Sequence, residues 1–67
     1  MERDAEMEAI YAEVSRVIGR AVIVLKSSKR IVSPQMIDYI LQEYEDQEKD
    51  KRMLKVYAIA RKIMREP

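Results

Sequence analysis

Apolar residues in the first third of the chain recur at helical spacing. Met7, Tyr11, Val14, Ile18, Ala21 and Leu25 follow intervals of 4, 3, 4, 3 and 4, which is a heptad seam. Ile10, Val17 and Val24 repeat every seven residues on one side of it, and Val22 lies on the other. Together they cover about half the circumference of a helix over residues 4–26, whereas one core-facing helix needs a stripe of roughly 100°. The surplus predicts two burial partners, the rest of the chain and something outside it. The candidate interface positions are Ile10, Tyr11, Val14, Val17, Ile18 and Val24.

A second helix, over residues 34–45, has a clear start. Ser33 suits an N-cap and Pro34 suits the first helical position. Val32 and Ile37 stand at the two ends of a hydrophobic staple. Met36, Ile37, Ile40, Leu41 and Tyr44 make one apolar face. Eight polar residues follow, Glu45 to Arg52, with no glycine or proline among them. Either Asp46 caps a third helix over residues 47–65, or the second helix bends into the third. Met53, Val56, Tyr57, Ala60, Ile63 and Met64 form the third apolar face, with Ile59 at its edge.

These elements predict an all-α fold: one three-helix domain over residues 1–67 with a long first helix. The chain has 67 residues, no cysteine and no histidine. Disulfides are therefore impossible, and zinc, haem and iron–sulfur sites lose their usual ligands, so no metal or cofactor is expected. A chain this short is marginal as a lone monomer unless packing or association supports it. Together with the surplus apolar arc, this predicts a homodimer. The acidic start, MERDAEMEAI, does not read as a signal peptide, and the apolar run Val17–Leu25 contains Arg20 and is too short to span a bilayer. A cytoplasmic location and no membrane contact are the expectations.

The formal net charge of +1 creates no overall pull toward nucleic acid. The charges are nevertheless sorted along the chain. Residues 1–13 hold five acids and one base, residues 14–33 five bases, residues 34–48 five acids, and residues 49–67 seven bases and two acids. Acids leading the first helix and bases closing it suit its macrodipole. An acidic second helix beside a basic third suits their pairing. Lys51, Lys55, Lys62 and Arg65 share one side of the third helix, which as a phosphate-contacting stripe would make the chain an accessory nucleic-acid binder.

Gly19, the only glycine, lies inside the first helix, where it costs roughly 1 kcal/mol against alanine. It falls almost opposite the seam, alongside Ala12, Ser15 and Ile23. The Ser15/Gly19 pair marks Gly19 as a candidate close-contact position. Motifs for chemistry are otherwise scarce. There is no phosphate loop, dinucleotide fingerprint or metal-binding cluster, and no histidine to activate a serine. No catalytic residue is assigned. Arg16 and Arg20, four residues apart, are the candidate ligand-binding pair for a carboxylate or phosphate.

The stretch IYAEVSRVIGRAV resembles a small enterobacterial family, the fumarase D-like proteins, in Tyr11, Glu13, Arg16, Val17, Ile18, Gly19 and Arg20 at matching spacing. The likeness covers about fifteen residues and the total length, and after Lys26 only the pattern of apolar positions persists. A looser likeness around the glycine extends to AriR-type biofilm and acid-resistance connector proteins, which are small, helical and dimeric. The first resemblance implies fumarate–malate interconversion; no catalytic residue is carried over with it. Read from the residues, the expected function is that of a small, non-enzymatic regulatory or adaptor protein acting as a homodimer on an unnamed protein partner. Fumarate hydration is the alternative.

Overall fold

The computed structural model describes the backbone of residues 2–67 and the side chains from residue 5 onward. It contains three helices, α1 (Glu2–Ser27), α2 (Pro34–Gln47) and α3 (Lys51–Arg65), and no strand among the described residues. α2 begins where Ser33 and Pro34 place it. Ser33 is extended (φ −142°, ψ 160°), and its Oγ accepts a hydrogen bond from the Met36 N–H at 3.2 Å. This satisfies one of the three free N–H groups of the first turn, since Pro34 has none. Of the staple pair, Ile37 is buried while Val32 stays exposed.

α1 closes without a glycine. The Lys29 N–H donates to the Lys26 carbonyl at 3.1 Å and the Arg30 N–H to the Leu25 carbonyl at 2.9 Å, the paired bonds of a Schellman motif. Lys29 takes the left-handed conformation that the motif needs (φ 59°). Glycine normally fills this position, because a Cβ there crowds the following carbonyl.

The α2–α3 boundary differs from the sequence expectation. α2 runs through Asp46 to Gln47, and α3 starts at Lys51 instead of residue 47. Asp50, not Asp46, caps α3, its Oδ1 accepting from the Arg52 N–H at 2.8 Å. Glu48 holds the three-residue connection, its Oε2 accepting from the Lys49 and Asp50 N–H groups at 3.1 and 3.2 Å. Asp46 and Gln47 are compatible with a helix, so nothing local stops α2 at Glu45.

All three helices touch one another. Their shared core is Val14, Val17, Ala21 and Leu25 from α1, Ile37, Ile40 and Leu41 from α2, and Val56, Tyr57 and Ala60 from α3. The longest dimension is 42 Å. A 26-residue helix spans about 39 Å, so α1 sets it. α2 and α3, with 14 and 15 residues, cover only part of α1 and leave its other sides free. No helix among the described residues is long and apolar enough to cross a membrane.

Candidate functional site

The inward stripe of α1 is Val14–Val17–Ala21–Leu25, of which Val14, Ala21 and Leu25 belong to the heptad seam. Two seam residues, Met7 and Tyr11, are instead exposed, at 47% and 53%. This corrects the interface assignment of Val14 and Val17. Both lie inside the chain's own core, at 3% and 5% exposure, and offer no surface to a partner. Ile10, Ile18 and Val24 are half-buried against that core and keep an outer edge, while Tyr11 is free.

Met7, Ile10 and Tyr11 form one wall of a groove whose other wall is α3, with Lys55, Ile59, Lys62, Ile63 and Glu66. Its volume is about 340 Å³. A smaller hollow of about 180 Å³ adjoins it, sharing Ile10 and Lys55 and adding Glu6, Arg52 and Val56. The groove's lining comes from α1 and α3, with no residue of α2. Its floor is apolar, and its α3 rim carries ammonium groups two turns apart. Lys55 and Lys62 belong to the basic stripe legible in the sequence. Ile59 and Ile63, which turn that stripe into the wall of an apolar groove, were not recognised as part of it; their i, i+4 spacing beside Lys55 and Lys62 was the available signal.

Arg16 and Arg20 do not form a clamp. Arg16 Nη1 lies 3.6 Å from Glu13 Oε1, while the Arg20 guanidinium sits over the Tyr44 ring, 5.4 Å from its centroid. The Tyr44 ring in turn tilts against Tyr57, with centroids 6.3 Å apart and an interplanar angle of 40°. Arg20 therefore caps an aromatic pair that joins α1, α2 and α3. Burial pushes the Tyr57 hydroxyl pKa above its ordinary value, helped by nearby Glu48 and Tyr44 and opposed by Arg20.

The sequence reading also missed Arg61. Its Nε donates to Asp38 Oδ1 and its Nη1 to Glu45 Oε1, so one α3 cation holds two α2 acids. The pairing of an acidic α2 with a basic α3 converges on this side chain. The hydrogen bonds it donates to Asp38 and then Glu45 hold its pKa further above the usual arginine value.

Among the described residues, a Cβ built on Gly19 would meet no atom within 4 Å beyond its own helix's backbone. A close contact between α1 and the other helices at this position is thereby overturned, because the core lies on the opposite side of α1. No family model, curated protein or solved structure matches the chain.

Proposed function

We propose that this protein is a small non-enzymatic adaptor, a homodimer that acts through protein–protein contact at the α1–α3 groove. The observation that carries the reading is the groove itself, where Met7, Tyr11 and Ile63 stay 47%, 53% and 41% exposed around an apolar floor. Large apolar side chains clustered at one surface mark interaction sites. The partner that fits inserts one or two apolar side chains between Ile10 and Ile59, and places carboxylates over Lys55 and Lys62. Apolar anchors from one face of an amphipathic helix meet this requirement.

No observation favours the hydratase reading. Binding a dicarboxylate needs converging cations and a proton donor and acceptor, and Arg16 and Arg20 are directed to Glu13 and Tyr44. The loss of fumarate absorbance on incubation with purified protein is the direct check on it.

Capture from the native cell tests the adaptor reading. The wild-type chain is expected to retain a partner that Ile63→Glu loses while keeping its helical signal, since Ile63 lies at the exposed lip of the groove. Identical profiles from the two baits would contradict it.

A further inference from the structure

The outer face of α1, away from both α2 and α3, carries a second seam. Glu8, Ala12, Ser15, Gly19, Val22 and Lys26 follow the same 4, 3, 4, 3, 4 intervals. Tyr11 and Ile23 flank it, 53% and 65% exposed. Ile18 and Val22 are covered only in part by the core. The seam's only charges sit at its two ends and have opposite sign. Neither Glu8 nor Lys26 belongs to any of the ion pairs formed among the described residues.

The spacing is palindromic about residue 17. Reversing the helix carries Glu8 onto Lys26, Ala12 onto Val22 and Ser15 onto Gly19. We propose that this face is covered by the same face of a second copy, with the two α1 helices antiparallel and crossing between Ser15 and Gly19. The inference rests on the homodimer part of the reading above and specifies where the copies meet.

Charge selects the occupant and its direction. An antiparallel copy sets Glu8 against Lys26 of the other chain, and the two-fold axis makes that pair twice. A parallel copy would oppose Glu8 to Glu8 and Lys26 to Lys26. Size agrees with the antiparallel arrangement. On one flank Tyr11 meets Val22 of the other copy, and on the other flank Ala12 meets Ile23, so bulk meets smaller side chains. At the crossing point Ser15 and Gly19 let the axes approach at the short end of the usual 8–10 Å range. The open space over Gly19 is where the other backbone lies. The α1–α3 groove shares Tyr11 with this face and is bordered by the dimer there, while its Ile10, Ile59 and Ile63 lie off the seam.

Sedimentation velocity on the full chain at low salt tests the register. Wild type is expected to be dimeric at tens of micromolar. Glu8→Lys and Lys26→Glu each oppose like charges twice per dimer and should raise the Kd roughly tenfold. The combined Glu8→Lys, Lys26→Glu chain restores both pairs with their signs exchanged and should recover the wild-type Kd. Gly19→Leu should give a monomer with unchanged helical signal, since within one chain its side chain enters open space. A wild-type monomer at these concentrations would overturn both the dimer and its register. A dimer indifferent to Gly19→Leu, or a charge exchange that fails to restore association, would overturn the register while leaving a dimer formed elsewhere.

Discussion

Arg61 Nε donates to Asp38 Oδ1 at 2.8 Å across 23 residues of sequence, and Arg61 Nη1 reaches Glu45 Oε1 at 2.7 Å. The side chains keep only 17%, 19% and 24% of their surface exposed, so these bonds are more than a solvated surface pair. Removing the cation leaves two half-buried carboxylates facing each other. Arg61→Ala is expected to destabilise the fold by about 1–3 kcal/mol, below the cost of breaking a fully buried pair because water reaches both acids. Urea denaturation checks this; an unchanged midpoint would mean that α2 and α3 are held by their apolar faces alone.

Gly19→Ala should stabilise the monomer by roughly 0.5–1 kcal/mol, because alanine loses less backbone entropy in a helix and its methyl meets nothing in the chain. Thermal melts at a concentration low enough to dissociate any dimer are the appropriate measurement. A lower melting temperature there would show that the helix needs glycine for itself.

Lys29 closes α1 with a positive φ of 59°, a conformation that penalises any residue with a Cβ. Lys29→Gly should therefore add about 0.5–1 kcal/mol, with the same helix length and the same Schellman bonds. The gain should appear in melts of the otherwise unchanged chain. No gain would indicate that the lysine side chain holds this turn in a way that offsets its backbone strain.

The raised Tyr57 pKa has a definite consequence for stability. The folded state favours the neutral phenol, so its contribution is complete below the unfolded value near pH 10 and declines as pH rises through the higher folded value. Among the described residues the Tyr57 hydroxyl makes no side-chain hydrogen bond, and Tyr57→Phe should melt close to wild type at pH 7. Above pH 10 the phenylalanine variant should lose less stability than wild type. Parallel losses in the two chains would mean that Tyr57 ionises without cost in the folded protein.

The sequence made the helices legible and left their facing unresolved, for physical reasons seen in particular residues. Ser33 and Pro34 announce α2 because capping is local chemistry between residues three apart. The start of α3 was misplaced because Asp46 and Asp50 are equally good caps, and nothing local ends α2 at Glu45. On α1, apolar residues span about half the circumference, and periodicity alone does not say which part of so wide an arc turns inward. Val14 and Val17 were consequently grouped with Tyr11 as interface positions, although the two valines turn inward and Tyr11 outward. The groove was invisible because it needs Met7 and Tyr11 beside Ile59 and Ile63, about fifty residues away in sequence. Charge sorting foretold the α2–α3 pairing but not that Arg61, among seven bases in that stretch, would carry it.

The central claim, that the α1–α3 groove is a protein-binding surface, is tested most directly by placing a photo-crosslinking residue at position 63 in the native cell, with position 42 on α2 as the control. Both positions are exposed, and only residue 63 lines the groove. The account predicts a discrete heavier adduct from position 63 that position 42 does not give. Equal labelling from both positions, or adducts from position 42 alone, would contradict it.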